Sequence, residues 1–148
     1  MSSNWLLLAE GASARAAMLD AFFAAVARGD AEEAYARMSS VFRMLFTLLA
    51  FRSYLEQDRS LAGYVCLEVL EERLERQPSD LALLDLASFG DTVPEDNRET
   101  ERLIEEYLAS PHVAVQGMVV FADGRRERFQ AAMLLEGTGW RIKGFQFD

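Results

Sequence analysis

The chain has 148 residues, 51% of them hydrophobic, and a net charge of −9 from 24 acidic and 15 basic residues. This length predicts one domain with its own core, and this apolar content excludes a largely disordered chain. An acidic protein repels phosphate backbones and anionic lipids, so neither nucleic acid nor a membrane surface is expected as a partner. The single cysteine, Cys66, cannot form an intramolecular disulfide, which agrees with the cytoplasmic location that we expect.

The first part of the chain predicts helices, after an arm over residues 1–12 that we expect to be loose. Ser13 can cap a helix that runs to roughly residue 28, and Gly29 suits the left-handed position that ends it. Asp30 and Thr47 can cap a second and a third helix, because each side chain can accept a hydrogen bond from the first helical turn. The buried face of the first helix is predicted by apolar residues at helical spacing, namely Leu19, Phe22, Phe23 and Val26.

Residues 61–110 show the least regular pattern. The run Tyr64–Leu70 is rich in β-branched and aromatic residues, which favours a strand. The charged residues that follow have helical propensity, so we expect a helix there that ends before Pro78. Another short helix is expected over 81–87. The sequence thus predicts a single domain, residues 1–148, with a partly helical insertion in its middle.

The stretch Val113–Phe147 predicts an antiparallel meander of three strands. Its runs VAVQGMVVF, RERFQAAMLLE and WRIKGFQF alternate apolar and polar residues, a pattern that buries one face of a sheet. Residues 123–124 and 137–139 separate the runs and contain the glycines that tight turns require. We therefore expect an α+β fold, in which N-terminal helices pack on one face of a curved antiparallel sheet.

The last predicted strand changes parity along its length. Trp140 and Ile142 occupy even positions, whereas Phe145 and Phe147 occupy odd positions, and Gly144 lies between the two pairs. A β-bulge at this glycine would return both phenylalanines to the apolar face. Alternatively, one of the two pairs faces a second apolar surface, such as a partner subunit. The sequence supports the two interpretations equally.

Two stretches resemble the NTF2-like superfamily of cone-shaped α+β domains. The segment FFAAVARGDAEEAYARMSSVFR at 22–43 is similar to the family's opening helices, and FADGRRERFQAAMLLEGTGWRIKGFQF at 121–147 is similar to its closing strands. The resemblance implies a cone between helices and sheet, and residues 61–110 depart from it because they are longer and more helical. Members include isomerases, dehydratases, hydrolases, ligand-binding proteins and dimerisation modules, so the fold alone does not name a function.

No catalytic constellation is evident in the sequence, and no catalytic residue is predicted. The three C-terminal strands place no acid or histidine at an interior position, where the ketosteroid-isomerase type would need one. We interpret His112, the only histidine, as a polar residue at a helix-to-strand junction, because no partner for it is evident. Cys66 is expected to be a small buried hydrophobe. One histidine and one cysteine cannot form a zinc site, so neither a metal nor another cofactor is predicted.

Aromatic, methionine and amide side chains give the one indication of a binding site. We expect them to line the cone, although an ordinary filled core explains the same residues. The predicted function is a non-catalytic NTF2-like module that forms a homodimer and binds a small apolar ligand. The alternatives are a small isomerase or hydrolase of the ketosteroid-isomerase type, and an acidic accessory protein that docks a basic partner. The candidate ligand-binding residues are Tyr35, Phe42, Phe46, Tyr54, Gln116, Met118, Gln130, Met133 and Trp140.

Overall fold

The structure describes residues 2–75, 102 and 109–147, in which four helices with defined bounds precede four strands, and residues 102 and 109 are also helical. For residues 2–9 this computed structural model describes the backbone alone. The helices are α1 Ser2–Ala27, α2 Ala31–Ala36, α3 Ser40–Leu45 and α4 Leu48–Gln57, and the strands are β1 Tyr64–Glu75, β2 His112–Phe121, β3 Arg126–Glu136 and β4 Gly139–Phe147. The strands form an antiparallel sheet in the order β1-β2-β3-β4, so the predicted α+β class is confirmed.

Part of the predicted insertion lies outside the described residues. The short helix expected over 81–87 belongs to that part. Among the helices that are described, none is both long enough and apolar enough to cross a membrane.

The first helix begins earlier than the sequence predicted. α1 starts at Ser2, so the expectation of a loose arm over residues 1–12 is wrong from that residue onward, and Ser13 lies inside the helix. Gly11 does not interrupt α1, because it is buried where the helix packs on the sheet. A Cβ atom at this position would lie 2.8 Å from Nε1 of Trp140, so the close approach requires glycine. Packing against β4 thus overrides the weak helix propensity of glycine.

Side-chain caps set the starts of the short helices. Asp30 and Thr47 accept hydrogen bonds of 3.2 and 3.1 Å from first-turn N–H groups of α2 and α4, as the sequence predicted. Ser39 caps α3 in the same way. Gly29 follows α1 with a φ of 77°, a left-handed conformation that glycine adopts at little cost. The prediction that it ends the helix is confirmed.

β1 is a strand along its whole length, so the helix expected after Leu70 is wrong. The strand pairs with β2 as far as Glu75, which lies opposite His112. Pairing with β2 supplies hydrogen bonds to the backbone groups of alternate residues in 71–75, and this long-range ladder overrides their local helical propensity. Register shifts at Val65 and Leu70 mark two irregularities in the pairing. This part of the predicted insertion therefore belongs to the sheet.

A β-bulge explains the parity change in β4, as one of the two interpretations predicted. Ile142 and Gly144 pair with successive residues of β3, so Lys143 is the extra residue of the bulge. Both phenylalanines at the end of the strand thereby stay on the face that packs on α1, where the Phe145 ring lies 5.4 Å from that of Phe22. The alternative, in which one of the two pairs faces a partner subunit, is wrong.

Side chains fill the layer in which α1 meets the sheet. Leu19, Phe22 and Phe23 of α1 are fully buried and pack against the apolar face of the sheet. The Phe23 ring lies 5.2 Å from the Phe129 ring at an interplanar angle of 80°, an edge-to-face arrangement that attracts aromatic pairs. In the described residues, this layer is a packed core.

Candidate binding pocket

A cavity of about 470 Å³ opens between the pair of helices α3 and α4 and the end of β4. It lies beside the bulge of β4, at the edge of the sheet. The side chains that line it are apolar apart from one tyrosine hydroxyl. This combination of size and lining is typical of sites for small apolar molecules. The lining residues are Met38, Phe42, Phe46, Ala50, Phe51, Tyr54, Gly144 and Phe145.

Tyr35 of α2 contacts the chain where α3 ends and α4 begins. Its hydroxyl lies 2.6 Å from the carbonyl oxygen of Phe46 and 3.0 Å from that of Arg43, and it donates its proton toward this pair. Its ring packs 5.7 Å from the ring of Phe51. The carbonyl groups at the end of a helix have no helical partner of their own. The tyrosine therefore fixes the position of α3 relative to α4, and with it the mouth of the pocket.

Aromatic rings form the helical wall of the pocket. The Phe42 ring lies 4.8 Å from the Phe46 ring and 5.8 Å from the Phe51 ring. Aromatic pairs attract each other at these separations. Only 6% of Phe51 is exposed, whereas 42% of Phe46 is exposed, so the wall runs from the core to the surface. An apolar molecule in the pocket would remove the outer ring from water.

Tyr54 places a polar group at the pocket. Its hydroxyl donates a hydrogen bond of 3.1 Å to Oδ2 of Asp58. Partial burial, followed by the hydrogen bond and the charge of the carboxylate, raises the pKa of Tyr54 above its ordinary value of 10.0. The pKa of Asp58 is lowered, chiefly because the backbone N–H of Ser60 donates to the carboxylate at 3.0 Å. At neutral pH the pocket therefore borders a neutral phenol and an ionised acid.

The structure separates the nine candidate residues into three groups, so they do not line one common cavity. One group lines or supports the pocket, a second lies in the core between α1 and the sheet, and a third lies on the face of the sheet that points away from α1. The pocket group is Tyr35, Phe42, Phe46 and Tyr54, the core group is Met133 and Trp140, and the third group is Gln116, Met118 and Gln130. Ligand binding by any of them stays a prediction.

The other lining residues come from contacts between distant parts of the chain. The segment at Met38 forms a parallel bridge to Ile142, and this bridge brings the start of α3 beside the end of β4. No local pattern predicts such a bridge, because both segments are short and far apart in sequence. The lining residues that sequence reasoning missed are Met38, Ala50, Phe51, Gly144 and Phe145.

A buried ion pair that sequence reasoning also missed joins α1 to β1. Arg15 is fully buried, and its Nε contacts Oε2 of Glu72. The guanidinium carbon lies 4.6 Å from the centroid of the Trp140 ring, in cation–π contact. Glu72 was missed because its segment was expected to be helical. Arg15 was missed because the apolar positions of a helix do not indicate whether a charged residue of the same helix is also buried.

A second polar cluster lies on the opposite face of the sheet. His112 is buried, and its Nδ1 lies 2.8 Å from Nζ of Lys143, which is itself 3.8 Å from Oε2 of Glu75. The ammonium donates to Nδ1, so the proton of a neutral imidazole lies on Nε2. The histidine thus has a partner, and the expectation that it lacks one is wrong. Cys66 is exposed, so the expectation that it is buried is wrong as well.

No family model matches the sequence, and neither a curated protein nor a solved structure is significantly similar to it. A functional proposal therefore rests on the geometry of the pocket.

Proposed function

We propose that this protein is a non-catalytic binding domain of the NTF2-like type that holds a small apolar ligand in the pocket between α3, α4 and β4. One observation carries the proposal, a cavity of about 470 Å³ whose lining is aromatic and aliphatic. Ligand pockets in proteins commonly have volumes of about 300–1,000 Å³ and this kind of lining. Both the size and the chemistry of the cavity therefore suit a small apolar molecule.

The lining favours a neutral ligand with an aromatic or alicyclic body. None of the described lining residues carries a charged side chain, so a charged group bound there would lose its hydration without a partner. The hydroxyl of Tyr54 donates a hydrogen bond to Asp58, and its oxygen can still accept one. A hydrogen-bond donor on the ligand would find an acceptor at this hydroxyl.

The other interpretations have less support or remain predictions. The isomerase or hydrolase alternative needs an acid that faces the cavity, whereas Asp58 lies at the rim, where Tyr54 and Ser60 hydrogen-bond to it, and the partly buried Glu72 pairs with Arg15 in the core. The NTF2-like assignment is supported by the order of helices before an antiparallel sheet, and by a closing strand that carries Trp140. The homodimer and the cytoplasmic location stay predictions. Exposed apolar side chains such as Leu49 and Val65 are the observation that favours self-association.

Titration with N-phenyl-1-naphthylamine, a neutral apolar fluorophore, tests the proposed pocket. We expect saturable binding to one site per chain. In Ala50→Phe, the phenyl ring of the new side chain would occupy the cavity. We expect this variant to bind the fluorophore at least tenfold more weakly, which corresponds to a loss of about 1.4 kcal/mol in binding free energy. Leu49→Phe is the matched control, because this neighbouring residue on α4 is 71% exposed and does not line the pocket.

The control variant should bind the fluorophore with the affinity of the wild type, and both variants should unfold at similar temperatures. Absence of saturable binding to the wild type would contradict the proposal. So would equal affinities of the two variants, because the fluorophore would then bind at some other surface.

A further inference from the structure

One hydroxyl group dominates the polar chemistry of the side chains that line the pocket. Among the described lining residues, Tyr54 is the one whose side chain carries a hydroxyl, an amide or a charge. The others are aromatic or aliphatic residues and a glycine, apart from Met38, whose thioether is a weak acceptor and no donor. The hydrogen-bonding preference of the pocket therefore depends on where the Tyr54 hydroxyl directs its proton.

The proton of the Tyr54 hydroxyl is committed to Asp58. The hydroxyl oxygen lies 3.1 Å from Oδ2 of Asp58. The other carboxylate oxygen, Oδ1, accepts the backbone N–H of Ser60 at 3.0 Å, and this bond is the first cause of the lowered pKa of Asp58. An ionised carboxylate accepts hydrogen bonds and donates none, so the tyrosine is the donor of this pair. The Tyr54 oxygen can therefore only accept a further hydrogen bond.

The backbone at the end of α4 holds these two side chains together. Asp58 is the C-cap of α4, and its N–H donates to the carbonyl of Tyr54 at 3.0 Å. Side chains four residues apart on a helix meet on the same face. Backbone and side chains thus join the same two residues, and Ser60 fixes the carboxylate from beyond the helix. A ligand would meet a hydroxyl whose proton is already directed at the acid.

The helical wall of the pocket has its backbone N–H groups in use. The first N–H groups of a helix have no partner inside the helix and would be available to a ligand. Phe42 and Ala50 donate theirs to the capping hydroxyls of α3 and α4 at 3.2 and 3.1 Å. The N–H groups of Phe46 and Phe51 donate to backbone carbonyls at 2.9 and 3.0 Å. These four lining residues therefore do not offer a donor that would favour an acceptor on the ligand.

We propose that the pocket selects neutral apolar molecules that carry an O–H or N–H donor, such as a phenol, an alicyclic alcohol or an aryl amine, and that the Tyr54 oxygen accepts this donor. The inference rests on the proposed function, because it names the class of ligand for the same pocket. An ether of the same shape offers only an acceptor, which would face the lone pairs of the tyrosine. The bond to Asp58 also makes the tyrosine oxygen a stronger acceptor, because linked hydrogen bonds polarise one another. Asp58 acts through Tyr54, as a positioning residue.

Competition between two naphthalenes tests the inference on the full chain. 2-Naphthol carries a hydroxyl donor, and 2-methoxynaphthalene has a similar shape and no donor. Displacement of N-phenyl-1-naphthylamine gives the dissociation constant of each. Because the two molecules also differ in hydrophobicity, the decisive quantity is the change in the ratio of these constants between variants. Tyr54→Phe keeps the ring and removes the acceptor, so the preference for 2-naphthol should fall about fivefold.

The matched control is Tyr64→Phe. The Tyr64 hydroxyl also donates to a carboxylate, Oδ1 of Asp20 at 2.6 Å, but Tyr64 does not line the pocket. This variant should keep the wild-type ratio. Asp58→Ala tests the positioning role, because the Tyr54 proton is then free to turn toward an acceptor on the ligand. The preference for 2-naphthol should fall in this variant as well, a change that a loss of stability alone would not produce.

The outcomes separate this inference from the proposed function. An unchanged ratio in Tyr54→Phe overturns donor selection, and so does an equal fall in Tyr64→Phe, because the preference would then not arise at Tyr54. An unchanged ratio in Asp58→Ala overturns the role of the acid. If the fluorophore binds and 2-naphthol does not displace it, this inference fails and the proposed function stands. If the fluorophore does not bind the wild type, both fail.

Discussion

The side chains of Arg15 and Glu72 form an ion pair inside the domain, where α1 crosses β1. Only 1% of the arginine side chain and 15% of the glutamate side chain are exposed. A charge in such a place is tolerated only beside its counterion, because removal from water costs several kcal/mol. The Trp140 ring under the guanidinium adds a further attraction. The pair therefore fixes how far along the sheet α1 is placed.

Removal of one member of this pair should destabilise the fold strongly. Glu72→Gln removes the charge of the carboxylate that contacts the buried guanidinium, and we expect a loss of about 3–5 kcal/mol in the free energy of unfolding by urea. The double variant Arg15→Met and Glu72→Leu removes both charges and should recover most of that loss.

The matched surface control is Glu32, which pairs with Arg52 at 3.4 Å with its own side chain 74% exposed. Glu32→Gln should change the stability by less than about 1 kcal/mol. A loss at Glu72 no larger than the loss at Glu32 would show that the buried pair does not support the fold.

Gly117 should not tolerate a methyl group, although it lies in an ordinary strand. A Cβ atom there would lie 2.7 Å from the Phe129 ring and would also meet the backbone carbonyl of Glu68. Gly117→Ala should therefore lower the free energy of unfolding by about 1–3 kcal/mol through overpacking. Gly139→Ala is the control, since nothing lies within 4 Å of a Cβ atom at that position. Thermal unfolding that ranks the two variants equally would refute the close packing of β1 and β2 on this glycine.

The acid at the rim of the pocket predicts a pH dependence. The pKa of Asp58 in the folded protein lies below its ordinary value of 3.8, first because the backbone N–H of Ser60 donates to it. A lowered folded-state pKa means that the carboxylate stabilises the fold above pH 3.8 and that this contribution is lost as the pH falls through the folded-state value.

Asp58→Asn keeps a side-chain oxygen that can accept the same hydrogen bond and removes the charge. The wild type should be the more stable of the two near neutral pH, and the difference should shrink as the pH falls below about 4. Urea unfolding across this pH range measures it. A difference that stays constant with pH would rule out the charge as its cause.

Much of the fold could be predicted from the sequence wherever the pattern is local. The turn glycines and the alternation after Val113 predicted β2, β3 and β4, and the change of parity at Gly144 predicted the bulge as one of two options. The caps at Asp30 and Thr47 followed from the hydrogen-bonding capacity of their side chains.

The elements that could not be predicted depend on long-range pairing. The second half of β1 has helical propensity and becomes a strand because β2 supplies its hydrogen bonds. α1 continues through Gly11 because this glycine packs on Trp140, a contact that its own segment does not reveal. The pocket needs the bridge from Met38 to Ile142, and the ion pair needs Glu72 to face α1. Sequence reasoning therefore selected three of the lining residues and mixed them with core residues such as Met133.

Methyl NMR during a titration with N-phenyl-1-naphthylamine tests the central claim most directly, because methyl groups report on each candidate cavity separately. Met38 and Ala50 line the pocket, Met133 is buried in the core, and Met118 lies on the other face of the sheet. We expect the methyl signals of Met38 and Ala50 to shift together along one binding curve, while those of Met118 and Met133 stay in place. Shifts at Met118 and Met133 without shifts at Met38 and Ala50 would contradict the pocket, and so would the absence of any saturable shift.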